Sequence, residues 1–295
     1  MTEIAIAACR SSEEAAPDNL TIDPDFPLLA EAFTAAGLSC CQLAWDNPEV
    51  RWGDFGAVVI RSTWDSDIRP EAYLAWALGV SALTPLVNPL AAVKWCLDKT
   101  YLADLSADGV PIVPTDFVPP GQAWAPPVGE FVVKPTISAG GRCTARYRPD
   151  ELAQARRHVD ALHGADRSVM VQPYIRGVED EGELKMIYMG GTFSHAVRVQ
   201  PILDPGAGIV DRLWEKPTFP QLVEPSPDQQ AVAAAALAAA ERRLDVELAY
   251  ARADLVPGTR GEPLVSELEI IDPFLFLEFA PKGAGALAGR VGAFM

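Results

Sequence analysis

Histidine is scarce in this chain, basic residues are outnumbered, and no long apolar run occurs. Only His158, His163 and His195 are present, and none stands at a metal-ligand spacing, which argues against a zinc site. Lysine and arginine number 24 against 40 aspartate and glutamate, a formal net charge of −16. That balance argues against general binding to nucleic acid or to an anionic membrane, since both want basic surface. It leaves room for a small anion in a local positive pocket. No apolar stretch is long enough to span a bilayer, and no secretory leader pattern opens the sequence. The five cysteines (Cys9, Cys40, Cys41, Cys96 and Cys143) are odd in number and contain no C-x-x-C. Reduced thiols and a cytoplasmic location are therefore expected. The phosphate-binding pattern G-x-x-x-x-G-K-[ST] is also missing.

What is present suffices for substantial cores: 49% of 295 residues are hydrophobic, enough for one large domain or two to three smaller ones. Residues 3–9 read as a buried strand, 26–36 as a helix stopped by Gly37, and 38–45 and 55–60 as further apolar strands. This order predicts a small open α/β sheet. Ligands in such sheets gather beyond the carboxyl ends of the strands, where Arg10 and the run Arg61-Ser62-Thr63-Trp64-Asp65 fall. Arg61 suits a carboxylate or phosphate; a local pair with Asp65 is the plainer alternative. Residues 91–105 are predicted as one amphipathic helix carrying Lys94 and Lys99. The stretch 119–127 is proline-rich and reads as a stiff connector. Strand 130–135 carries Lys134 and runs into Thr136–Arg146, whose small residues, Ser138, Gly140 and Gly141 among them, can turn backbone N–H groups around an anion or simply form a flexible hairpin loop.

Residues 182–189 and 192–199 form a predicted hairpin about Gly190-Gly191. Symmetric pairing puts Glu183 opposite Arg198, with Lys185 on the same face and His195 packed on the other. The long segment 201–225, which includes Trp214, Glu215 and Lys216, has the length of a lid. Ser226-Pro-Asp-Gln229 is a capping box that starts an alanine-rich helix. Residues 250–272 then read as strand, turn, strand. Pairing about Arg260-Gly261 sets Asp254 opposite Glu267 and Arg252 opposite Glu269. Carboxylates so close repel unless a cation sits among them, and hard oxygen ligands suit Mg²⁺. A solvated strand face with cross-strand ion pairs is the alternative.

Taken in order, Lys99, Lys134 with its small-residue loop, Gln172-Pro-Tyr174-Ile175 with Glu179, Arg252-x-Asp254 and Glu267-x-Glu269 resemble the ATP-grasp superfamily over residues 85 to 280. The resemblance implies an ATP-grasp fold of α/β (α+β) class. A small N-terminal open α/β domain (1–87) would precede two α+β subdomains (88–170 and 171–295) that clamp ATP between two antiparallel sheets. It implies that Lys99 and Lys134 touch the phosphates with Ser138, Gly140 and Gly141, that Gln172, Tyr174 and Ile175 receive adenine, and that Glu179 binds the ribose. Arg252 would face the transferred phosphoryl group. Asp254 and Glu267 would hold Mg²⁺, with Mn²⁺ as an alternative ion, and Glu269 stands where many members carry asparagine. The segments 61–65, 178–183, 193–198 and 267–273 are similar to a subgroup related to bacterial glutathione synthetase that includes the cycloserine-forming cyclo-ligases. The implied reaction is ATP-dependent activation of an amino-acid-like carboxylate for attack by nitrogen, as in closure of O-ureido-D-serine to D-cycloserine. A linear carboxylate–amine ligase and a non-catalytic nucleotide-binding module are the alternatives. Lys185 and Arg198 are expected at the reacting carboxylate, and Arg61, Ser62 and Trp64 at the substrate. A small carboxylate is the expected partner, with a homodimer left open.

Overall fold

The computed structural model describes residues 3–10, 20, 23–200, 203, 206–210 and 219–294. The first sheet is parallel, built from β1 (Glu3–Ala8), β2 (Ser39–Ala44), β3 (Ala57–Ser62) and β4 (Leu86–Val87) in the order β2-β1-β3-β4. Its central strands are apolar on both faces because both are covered. Ile4, Ile6, Ala57 and Val59 meet Leu29 and Phe33 of helix α1 (Phe26–Ala35). Ala5, Ala7, Val58 and Ile60 meet Tyr73, Ala77 and Val80 of α2 (Pro70–Ser81).

Helices α3 (Leu90–Cys96) and α4 (Tyr101–Ala107) replace the single helix expected over 91–105. The break has a local cause. Asp98 Oδ1 accepts from the backbone N–H of Thr100 at 2.9 Å, and Lys99 N–H donates to Thr136 O at 2.9 Å, so neither follows the helical ladder. Lys99 thereby sits at a corner, its side chain turned inward.

The second sheet is antiparallel: β5 (Asp116–Val118), β6 (Phe131–Pro135), β7 (Ala145–Tyr147) and β8 (Val169–Pro173), ordered β5-β8-β6-β7. Phe131, Val133, Val169 and Val171 bury against Ala155, Val159 and Leu162 of α5 (Leu152–Gly164). Alternation sends Val132, Lys134, Met170 and Gln172 to the opposite face. Short helix α6 (Gly177–Glu181) follows.

The third sheet is also antiparallel: β9 (Glu183–Met189), β10 (Thr192–Val199), β11 (Gln221–Val223), β12 (Tyr250–Pro257) and β13 (Pro263–Glu269), ordered β11-β10-β9-β12-β13. Helix α7 (Pro227–Leu244) begins with the expected Ser226–Gln229 capping box. Its Ala233, Ala236, Leu237 and Ala240 share a core with Leu184, Met186, Ala253, Leu255 and Leu268. Tyr101 of α4 and Met170 of the second sheet join that core. The terminal glycine-rich segment is helix α8 (Lys282–Gly292), buried with α1 through Leu287 and Val291. Among the described residues no helix is long and apolar enough to cross a membrane. Of the segment expected as a lid, Trp214, Glu215 and Lys216 lie outside the described residues, and its 221–223 part is strand β11.

The β9–β10 pairing departs from simple symmetry. Met189 faces Thr192 and Tyr188 faces Phe193, but a bulge at Ser194 then moves Lys185 opposite Val197, Leu184 opposite Arg198 and Glu183 opposite Val199. One extra residue exchanges the faces of everything beyond it. Arg198 therefore lies on the Leu184 side, the face on which α7 packs, and not beside Lys185. His195 shares the Lys185 face but is buried, its Nε2 2.9 Å from Leu275 O. The β12–β13 hairpin has the expected register, Arg252 opposite Glu269 and Asp254 opposite Glu267. It reaches that register by a turn one residue tighter and a compensating bulge at Ser266.

Candidate active site

The cleft-facing side of β9, β12 and β13 carries the charges. Arg252 Nε donates to Asp254 Oδ1 at 2.8 Å, and Arg252 Nη2 donates to Glu269 Oε1. Lys185 Nζ lies 2.7 Å from Asp254 Oδ2 and 3.0 Å from Glu183 Oε2. Lys99 Nζ lies 3.1 Å from Glu267 Oε1 and donates to Ser138 O at 2.5 Å. Each of Asp254, Glu267 and Glu269 offers an oxygen within 4.8 Å of the others. Such a spacing, with hard oxygens only, fits Mg²⁺ or Mn²⁺.

Burial opposes ionisation of Asp254, but Arg252 and Lys185 outweigh it and hold its pKa below the ordinary carboxylate value. Glu267 is likewise depressed, with Lys99 and then Lys134 overcoming burial. Glu269 goes the other way: burial pushes it up to about 8, and Glu267 and Asp254 add to the rise while Arg252 opposes it. The cations respond in kind. Burial works against Lys99 and Lys185, yet Glu267 raises the first and Asp254 the second. Lys134 is lowered by burial, which the attraction of Glu267 does not cancel. A cation held at that cost stands ready for an incoming anion.

The expected nucleotide residues line the second sheet and its edge. In the Thr136–Arg146 loop, Gly140 and Gly141 have φ of +58° and +72°, the left-handed region that a tight anion-cradling loop uses. Gln172 Nε2 donates to Thr115 Oγ1 at 2.8 Å. Tyr174 is covered by the Arg146 guanidinium 3.4 Å from its ring centre, and burial raises its phenol pKa to about 12. Glu179 of α6 accepts from Arg146 Nη1 at 2.7 Å, and that contact holds its pKa below the ordinary value. Ile175 follows in the same strand-to-helix connection. The Arg146–Glu130–Arg176 network around this end was not anticipated. Arg146 pairs with Val132, which shares the face of Lys134, a register that only the folded sheet shows.

The N-terminal residues expected at the substrate need correction. Arg61 is fully buried; its Nη2 donates to Asp25 Oδ2 at 3.2 Å and its guanidinium lies 5.4 Å from the Tyr250 ring centre. Ser62 is also fully buried and accepts from Gln42. Neither reaches the cleft: they end β3, whose every residue is inside. Trp64 is half-buried and its Nε1 donates to Asp272 O at 3.0 Å. Arg198 donates to Glu181 O at 2.7 Å on the far side of the sheet. Sequence reasoning also missed Asn88, whose side chain donates to Tyr250 O and Ile270 O and accepts from Ala249 N–H at 2.9, 2.8 and 2.7 Å.

A parallel N-terminal sheet followed by two antiparallel sheets, with Lys134 of one sheet and Lys99 of the α3–α4 corner near the acids of the other, is the ATP-grasp fold. The RimK-domain ATP-grasp protein of Sphaerobacter thermophilus superposes with a TM-score of 0.67 over 98% of both chains at 17% identity, a likeness of fold. The particular relatives are closer. Residues 4–88 match the family described as the N-terminal domain of D-cycloserine synthetase DcsG. The chain is 40% identical over 280 residues to the cycloserine biosynthesis protein DcsG of Streptomyces lavendulae, covering 90% of this chain and 92% of that one. The crystal structure of D-cycloserine synthetase DcsG superposes with a TM-score of 0.87 at 37% identity, over 98% and 99% of the two chains. The chain belongs to the DcsG family.

Proposed function

We propose that this protein is an ATP- and Mg²⁺-dependent ligase that activates the carboxylate of a small amino acid as an acyl phosphate and closes it onto a nitrogen of the same molecule. The substrate that fits the family is O-ureido-D-serine and the product D-cycloserine. The observation that carries this reading is the convergence of Asp254, Glu267 and Glu269 with Arg252, Lys185 and Lys99 on one cleft face.

Lys99, Lys134 and the Thr136–Arg146 loop are the groups to hold the phosphates. Gln172, Tyr174 and Ile175 would receive adenine, and Glu179, once it leaves Arg146, would bind the ribose. Asp254, Glu267 and Glu269 would hold the ion. Bound there, Mg²⁺ neutralises phosphoryl oxygens as charge develops on them. Arg252 exchanges part of its pairing with Asp254 and Glu269 for the transferring phosphoryl group. Lys185, on the same face beside Asp254, would hold the substrate carboxylate in line. In the ring-forming step the nitrogen bonded to oxygen attacks the acyl carbon, phosphate leaves, and the carbamoyl group departs with water as carbon dioxide and ammonia. No protein nucleophile is required. The described free cysteines fit a reducing cytoplasm, where we place the enzyme.

The test is ADP release from purified protein against a panel of small carboxylates with O-ureido-D-serine included, with product mass read in parallel. A product built from one substrate molecule supports ring closure. One that joins donor and acceptor identifies a linear ligase instead, and no ADP release with any carboxylate overturns the ligase reading.

A further inference from the structure

The Thr136–Arg146 loop is fastened at both ends of its arc. On the nucleotide side Ser138 O holds Lys99, which in turn pairs with Glu267. On the other side Arg142 Nη1 donates to Asp67 Oδ1. Asp67 lies in the turn between β3 and α2, 75 residues away. The side chain of Asp67 is 2% exposed and that of Arg142 19%. Asp67 Oδ2 is buried without a hydrogen-bond partner among the described residues, so the pairing of this carboxylate rests on Arg142. The segment that carries Asp67 is itself tied to the acid hairpin. Thr63 Oγ1 donates to Asp272 Oδ2 at 2.9 Å, Trp64 to Asp272 O, and Arg252 Nη1 to Phe274 O at 3.1 Å. Loop, N-terminal segment and acid hairpin are thus joined by side-chain bonds across the cleft.

Building on the proposed ligase reading, we propose that Arg142 and Asp67 are a positioning pair that closes the glycine-rich loop onto the 63–67 segment, so that ordering of the loop by nucleotide also forms the carboxylate-substrate wall. Lifting the loop leaves the Asp67 carboxylate buried with neither oxygen paired, which disfavours half-open states. A cleft shut in one event also keeps water from the acyl phosphate.

The test is amide hydrogen exchange on the full-length protein, with and without Mg²⁺ and a non-hydrolysable ATP analogue. In the unsubstituted protein, protection is expected in peptides covering 136–146 and 63–68 together. Arg142→Ala should keep nucleotide protection in 136–146 and lose it in 63–68. Asp67→Asn, nearly the same shape, should do likewise and serves if the first variant folds poorly. The reversed pair, Asp67→Arg with Arg142→Asp, should restore part of the joint response. In turnover, either single variant should raise ADP formed per product several-fold, a leak that a merely structural defect does not produce. Undiminished protection of 63–68 in both single variants, or a strict one-to-one ratio of ADP to product, overturns the proposal. If nucleotide protects neither segment of the unsubstituted protein, the nucleotide reading itself fails, and this one with it.

Discussion

Glu269 gives the sharpest test of the metal site. Its carboxyl titrates near 8 in the ligand-free protein because burial and the neighbouring Glu267 and Asp254 outweigh Arg252. A divalent ion binds the carboxylate and not the acid, so binding must expel the proton at lower pH. With a pKa of about 8, the protonated fraction falls such that apparent metal affinity rises about 50-fold between about pH 6 and pH 8. Mn²⁺ titrated into the ligand-free protein across that range, followed calorimetrically in two buffers of different ionisation enthalpy, measures both slope and proton release. Glu269→Gln should flatten the dependence. A flat profile in the unsubstituted protein, without proton release, would refute the assignment of Glu269 as a metal ligand. The same shift acts on stability with the opposite sense. A pKa raised in the folded state stabilises the ligand-free protein fully below the ordinary carboxylate value, and that contribution is lost as pH rises through about 8. Metal should therefore protect most against unfolding at the alkaline end.

Three further outcomes are expected. Glu267→Gln, which removes a proposed metal ligand and the partner of Lys99, should lower kcat by two to three orders of magnitude, about 2.7–4 kcal/mol, and leave circular dichroism unchanged; an undiminished rate would sink the assignment. Arg61→Ala should cost about 3–5 kcal/mol in urea denaturation, because it removes the counter-charge of the buried Asp25 and leaves that carboxylate only the backbone N–H groups of Leu275 and Leu277. A rise in substrate KM without loss of stability would instead return Arg61 to the substrate site. Gly182→Ala should destabilise by about 1–3 kcal/mol, since Gly182 sits at φ +74° and a Cβ would lie 2.6 Å from Val199 O; an unshifted midpoint would contradict the packing there.

What could be read from the sequence was what repeats at short range. The alternation of Arg252 with Asp254 and of Glu267 with Glu269 gave their shared face because strand faces alternate at a fixed period. Ser226 to Gln229 announced α7 because a capping box is closed within three residues. The misreadings share a different character. The bulge at Ser194 has no distinctive composition, yet it exchanges the faces of Arg198 and Val197. Asp98 looks like an ordinary helical residue until its carboxylate bonds the Thr100 amide. Arg61 resembles a substrate-binding residue because its partner, Asp25, lies 36 residues upstream, and only folding reveals the buried pair. The same distance hid Arg142 and Asp67.

Asn88 sets a rule of its own. A primary carboxamide offers donors and an acceptor within one small group. Here its nitrogen faces two carbonyl oxygens and its oxygen faces an amide N–H. Aspartate would turn a negative oxygen toward those carbonyls, and leucine would leave all of these backbone groups unmet. The side chain works as a rivet between the end of the parallel sheet and both strands of the acid hairpin, and shear would break its bonds together. The hairpin that bears Arg252, Asp254, Glu267 and Glu269 thus inherits the stiffness of the first sheet.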